Sequence, residues 1–278
     1  MKFTLKKVLA LALSALMLLS MTAMFAGCGE QGTDTVSTGS TEPKKEVITV
    51  GYTIYEPMNY LDENNTLVGF DTELAQKVFG NLGYEVIFKE IKWENKYTDL
   101  SSGNIDCIWN GFTANSADDD GVQRSEKVDF SYNYMENLQV VVIKDGTSED
   151  LTGLVGVAEA GSAGESYAKE LEGPATIKGV TKQTDALLEV NTGSADFAVL
   201  DAQLANSYCG KGDYASLKVV ESLSSDVEYY AIGFKKGSDL TAKVNGELEK
   251  LAADGTIKAL GEKYGVENSV ITDFSAQA

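Results

Sequence analysis

The chain has 278 residues, with 23 basic and 42 acidic side chains, a formal net charge of −19 and no histidine. So acidic a chain is a poor partner for nucleic acid and anionic lipid surfaces, and the missing histidine removes Ser/His and Cys/His nucleophile pairs and most zinc sites. The cysteines, Cys28, Cys107 and Cys209, have no CxxC spacing, and a chain of this size has core enough without disulfides.

In chain order, Lys2, Lys6 and Lys7 precede an apolar run over residues 8–19 and small residues at Ala26 and Gly27. This reads as a secretory signal over residues 1–27, not a membrane span. Phe25-Ala26-Gly27-Cys28 resembles the bacterial lipobox, which implies cleavage before Cys28 and a thioether-linked lipid on it. Residues 28–46, rich in Gly, Ser and Thr, lack the apolar surface to fold and read as a flexible tether. About 230 residues follow, enough for one large domain or two small ones.

Val47–Tyr52 is a β-rich run, followed by a loop with Pro57 and Asn64-Asn65. Asp71 is placed to cap a helix on which Leu74, Val78 and Leu82 share a face, with Gly83 as its stop. Residues 86–91 read as a strand. A helix with Tyr97 and Leu100 then ends at Gly103, and residues 105–109, holding Cys107 as a buried inert thiol, form a compact apolar strand. Further strands are predicted at 138–143, 154–158, 196–200 and 229–234, and helices at 161–171, from Thr184 to Gly193, and over 239–264 with a break at Gly255. Strands alternating with helices predict a largely parallel sheet covered by its crossovers.

Gly103-Asn104-Ile105-Asp106 and Gly193-Ser194-Ala195-Asp196 each place a helix stop and an Asp before an apolar strand. The likeness suggests two lobes of similar construction. Ligands of open parallel sheets bind beyond the strands' carboxyl ends, so residues 110–113 and Asp201 are expected to face a cleft. Strands near Val140 and Ile232 would carry the chain between the lobes twice, forming a hinge.

Leu67-Val68-Gly69-Phe70-Asp71, Ser102-Gly103-Asn104-Ile105-Asp106, Gly111-Phe112-Thr113, Val128-Asp129-Phe130-Ser131, Ala195-Asp196 through Asp201, and Ala231-Ile232-Gly233-Phe234-Lys235-Lys236-Gly237 come in a specific order and spacing. Over residues 47–265 the chain resembles the bacterial extracellular solute-binding proteins, family 3, that serve polar amino acid ABC importers. The resemblance implies an α/β fold of the two-lobed, type II periplasmic-binding-protein kind, each lobe a mostly parallel sheet flanked by helices, with two hinge crossings. It places lobe 1 at 47–139 and 235–271, lobe 2 at 140–234 and a tail at 272–278.

The resemblance also implies a site for a zwitterion. Arg124 would clamp the ligand carboxylate in bidentate fashion, since a guanidinium fork matches its two oxygens. Thr113 and the helix start at Ser162 and Ala163 would add donors, while Asp201 and the Gly111 carbonyl would take the ammonium. Tyr55 and Trp93 fall where the family puts aromatic walls, and Tyr52 where some relatives carry an acidic residue. Plainer roles stay open: a turn for Gly111, a helix cap for Ser162 and Asp201, packing for Trp93, and a solvated side chain for Glu159, which otherwise adds charge selection. The chain departs from the pattern by about six residues inserted before Arg124, including Asp118, Asp119 and Asp120, a loop that would otherwise leave Arg124 on the surface.

The implied function is a monomeric, lipid-anchored receptor on the outer face of the cell membrane. It would close on a free amino acid and hand it to an ABC permease, with no cofactor, metal or catalytic residue. A cyclohexadienyl dehydratase-like enzyme and an amino acid-sensing lipoprotein are the alternatives on the same fold.

Overall fold

The computed structural model describes residues 45–277; the expected signal, Cys28 and nearly all of the tether lie outside them. The first lobe begins with β1 (Val47–Tyr52), a small hairpin of β2 (Tyr60–Leu61) and β3 (Leu67–Val68), and α1 (Phe70–Asn81). It continues through β4 (Glu85–Glu90), a 3-10 turn at Trp93–Asn95, α2 (Lys96–Ser102) and β5 (Cys107–Thr113). After α3 (Arg124–Lys127), β6 (Asp129–Phe130) and β7 (Met135–Asn137), the chain crosses at Leu138 into β8 (Gln139–Lys144). The second lobe adds β9 (Val155–Glu159), α4 (Ala163–Glu170), β10 (Thr176–Val180), α5 (Gln183–Thr192), β11 (Phe197–Asp201), α6 (Ala202–Tyr208) and β12 (Leu217–Ser224). The chain returns through β13 (Glu228–Phe234) and ends in α7 (Leu240–Ala253) and α8 (Thr256–Tyr264).

The first sheet runs β4-β1-β5-β13-β6, with β7 also on β13, and the second β10-β9-β11-β8-β12. In both, the first three strands are parallel, because helices carry the chain back over the sheet each time. The fourth strand, β13 or β8, belongs to a crossing and is antiparallel to its neighbour, so the sheets are mixed. Every residue of β5 and of β11 is buried, which explains the apolar runs Cys107 to Trp109 and Phe197 to Leu200.

The two look-alike segments are one structural device used twice. Gly103 and Gly193 end their helices at φ 76° and 77°, a left-handed conformation that glycine adopts without steric cost. Asp106 then accepts from the Thr49 N–H at 2.7 Å, and Asp196 accepts from the Val155 N–H at 2.8 Å. Each aspartate thus pins the start of the strand beside its own, fixing the same β-α-β-α-β unit in each lobe.

Three expectations are revised. The return crossing falls between β12 and β13, so residues 228–234 belong to the first sheet and not to lobe 2. Gly69 holds the cap position of α1, while Asp71 lies in its first turn with its carboxylate turned into the core. Residues 110–113 form the end of β5 itself, held there by the pairing of Phe112 and Thr113 with Ala231 and Tyr230.

Candidate functional site

In the β5–β13 ladder, Phe112 pairs with Ala231 and Ile108 with Gly233, so Trp109, Asn110 and Gly111 all stand opposite Ile232. Such a bulge bends the strand and releases backbone groups from the ladder. Gly111 adopts φ 57° there, and a Cβ would lie 2.6 Å from Tyr55 Cε1, so no larger residue fits. Its N–H donates to Asp71 Oδ2 at 2.8 Å, and the Tyr134 hydroxyl donates to the same oxygen at 2.9 Å. Asp71 is fully buried, and burial pushes its carboxyl up to about 7 despite those donors. The Asn110 side chain ties the bulge to Thr53 and Asn59 through four hydrogen bonds of 2.7–3.0 Å.

Arg124 opens α3 and is 1% exposed, so the surface alternative is not what the fold builds. Its Nε donates to Asp118 Oδ1 at 2.9 Å, Nη1 to the Thr113 carbonyl at 3.2 Å and Nη2 to the Gly161 carbonyl of the other lobe at 3.4 Å. The loop before Arg124 therefore supplies the counter-charge that makes burial of a guanidinium tolerable. Burial alone would raise the Asp118 carboxyl, but Lys127, at 2.8 Å, and Arg124 hold it below its ordinary value.

Asp201 ends β11 at 7% exposure and makes no capping bond to α6. Instead it accepts from Asn137 at 2.7 Å, from Gln139 at 2.6 Å and from the Gln183 amide. Gln139 Nε2 also donates to Glu228 Oε2 at 2.8 Å, and that oxygen accepts the Thr113 hydroxyl at 3.2 Å. A hydrogen-bonded line thus runs from Thr113 in the first lobe to Asp201 in the second, through residues that flank both crossings. Burial, and then the nearby Asp201 charge, push the Glu228 carboxyl up to about 7. Burial also raises the Asp201 carboxyl, against the pull of its amide donors.

The lobes meet face to face. Lys96 reaches across to the Gly161 carbonyl at 2.9 Å, Lys169 pairs with Asp119 at 2.6 Å and Lys182 with Glu90 at 2.6 Å. Between them lies a narrow cavity of about 10 Å³. Trp93, Asn110, Gly111, Thr113 and Arg124 line it from the first lobe, and Glu159, Ser162, Ala163, Gln183 and Asp201 from the second. Ser162 is also the cap of α4, accepting from the Glu165 N–H at 3.0 Å.

Of the three aromatic residues expected as walls, Trp93 lines the cavity, its ring edge-on to Phe112 at 5.3 Å. Tyr55 and Tyr52 are not among the lining residues. Tyr55 is buried beneath Gly111, its hydroxyl 2.6 Å from that of Tyr230. Tyr52 packs edge-on against Phe88. The sequence reading missed Gln183, Gln139, Glu228 and Lys96, and it undervalued Glu159, which is 3% exposed and not solvated. A polar residue at the edge of an apolar run, as Gln139 is before three valines, was the available signal.

Two α/β lobes of matching topology, joined by two crossings and closed over a cavity with buried charge on both walls, define a hinged solute receptor of the type II periplasmic-binding kind. The chain belongs to the bacterial extracellular solute-binding proteins, family 3, whose model matches residues 48–267. It is 28% identical to the arginine-binding extracellular protein ArtP of Bacillus subtilis, over 93% of this chain and 98% of that protein. It is also 28% identical to the L-cystine-binding protein TcyA of the same organism, over 91% of this chain and 96% of that one. The solved structure of an ancestral arginine-binding protein bound to arginine superimposes with a TM-score of 0.72 at 31% identity, covering 79% of this chain and 98% of that one.

Proposed function

We propose that this chain captures a free α-amino acid by closing its lobes and delivers it to the permease of an ABC importer. One observation carries the reading: Arg124 from the first lobe and Asp201 from the second line the same cavity, both buried. A zwitterion desolvates two opposite charges at once, and each needs a fixed partner. With Nε held by Asp118 and one hydrogen of each Nη given to the Thr113 and Gly161 carbonyls, the second hydrogen of each Nη is left for the ligand carboxylate. Thr113, Ser162 and Ala163 line the same cavity, and Asp201 with the Gly111 carbonyl takes the ammonium. Because the ligand touches both lobes, it favours the closed form in proportion to those contacts. ArtP and TcyA, named for amino acid ligands, support the reading.

The receptor is further proposed to be exported and held outside the cell membrane by lipid on Cys28, as the lipobox-like Phe25-Ala26-Gly27-Cys28 implies. Mass spectrometry of the mature N-terminus tests this; Cys28→Ala releases the chain if the anchor is real.

A thermal-shift screen of the twenty amino acids with cystine and ornithine tests the main reading, since a ligand of the folded state raises its melting temperature by mass action. No shift with any of them would remove it. The enzyme alternative has one observation in favour, because burial raises the carboxyls of Glu159 and Glu228 toward the range of a general acid. Recovery of the bound amino acid unchanged after prolonged incubation decides against that alternative.

A further inference from the structure

Glu159 ends β9, lines the cavity and is 3% exposed. Its Oε1 is fully enclosed, and it has no hydrogen-bond partner among the described residues. The neighbouring cation, Lys96, gives its ammonium to the Gly161 carbonyl at 2.9 Å and forms no ion pair with Glu159. Lys182, on the other side, is paired with Glu90. Burial pushes the Glu159 carboxyl well up, with the charge of Asp201 adding to the effect. A buried carboxylate without a donor is costly and is ordinarily met by a cation.

The charge balance around the cavity points the same way. Among the residues that line the cavity, Glu159 and Asp201 are acidic and Arg124 alone is basic. A zwitterionic backbone is neutral and leaves that excess in place, whereas a positively charged side chain reduces it.

Resting on the amino acid reading above, we propose that Glu159 receives a cationic head on the ligand's side chain, making arginine-, lysine- or ornithine-like amino acids the substrate class. Glu159 is then the specificity-determining residue: Arg124 and Asp201 hold what every α-amino acid has, and Glu159 reads what distinguishes these.

The test is calorimetric titration of the purified full-length chain with two matched pairs, L-arginine against the neutral isostere L-citrulline, and L-lysine against L-norleucine. In the wild-type chain each cationic member binds at least tenfold more tightly than its neutral partner. In Glu159→Gln that preference falls below about threefold, while the affinity for the neutral members changes little. Neutral members that bind as well as cationic ones overturn the proposal using the wild-type chain alone, as does a preference that survives in Glu159→Gln. Failure of every α-amino acid to bind overturns the broader reading as well, so the two failures are distinguishable.

Discussion

Arg124 and Asp118 meet at 2.9 Å, and Asp118 lies in the loop between Thr113 and the arginine. That loop sets a carboxylate beside the arginine, and a second bond from Lys127 to the same aspartate anchors it. Arg124 is thereby fixed through Nε, while each Nη keeps a hydrogen beyond its bond to the Thr113 or Gly161 carbonyl.

Removing those donors abolishes the carboxylate grip. Arg124→Ala is expected to weaken binding of the best amino acid at least tenfold, about 1.4 kcal/mol, and Arg124→Lys to recover only part of it, because an ammonium lacks the planar fork. Calorimetric titration measures both; unchanged affinity in Arg124→Ala excludes the residue from the site.

Asp201→Ala removes the acceptor of three side-chain amides as well as the ammonium partner. Loss of ligand binding is expected together with a fall in unliganded stability on the order of 1–3 kcal/mol, since buried donors are left unsatisfied. Chemical denaturation and titration separate the two effects. Full binding by the variant would place the ammonium elsewhere.

Gly111→Ala forces a Cβ into the Tyr55 ring and a side chain into φ 57°. A stability loss on the order of 1–3 kcal/mol follows from backbone strain, and affinity falls with it because the bulge that exposes the carbonyl must shift. A variant with wild-type melting temperature and affinity would contradict this account of β5.

Stability of the unliganded protein should depend on pH in a defined sense. Asp71 and Glu228 have folded values raised to about 7, so their favourable contribution is complete below their ordinary carboxylate values and is lost as pH rises towards 7. Each contributes a decline in stability with rising pH between its ordinary carboxylate value and about 7. Lys96, lowered to about 7, acts in the opposite sense above that value, where the unfolded chain binds the extra proton. Urea midpoints should therefore fall from pH 5 to 7 and recover above it. Asp71→Asn and Glu228→Gln should each flatten the acid limb; an unchanged limb in both would refute the assignment.

The exposed pair between Asp119 and Lys169 clasps the closed cleft from outside, at 2.6 Å. Such pairs are worth at most about 1 kcal/mol, so Asp119→Lys should weaken binding by a few-fold. The double exchange, Asp119→Lys with Lys169→Asp, should restore it. Equal affinity in the single and double variants would remove the loop from closure.

Much of the fold was legible because its signals are local. Gly103 and Gly193 end helices through their own backbone freedom, and Asp106 and Asp196 follow at fixed offsets. Asp71 was misread as a cap for the same reason: an aspartate near a helix start has a local role available, whereas its true partner, Gly111, lies 40 residues away. Motif position assigns Tyr52 and Tyr55 to ligand walls, but position along the chain says nothing of which way a ring turns. Their contacts with Phe88 and Tyr230 come from other strands.

By itself, then, the sequence determined the family, the doubled α/β unit and the identities of the opposed charges, since these follow from short-range periodicity, turn chemistry and motif spacing. Only the tertiary structure decided which charges share a cavity, which already have partners and which do not. Burial and pairing depend on segments far apart in the chain, and it is packing that left Asp118 beside Arg124 and Glu159 without a donor.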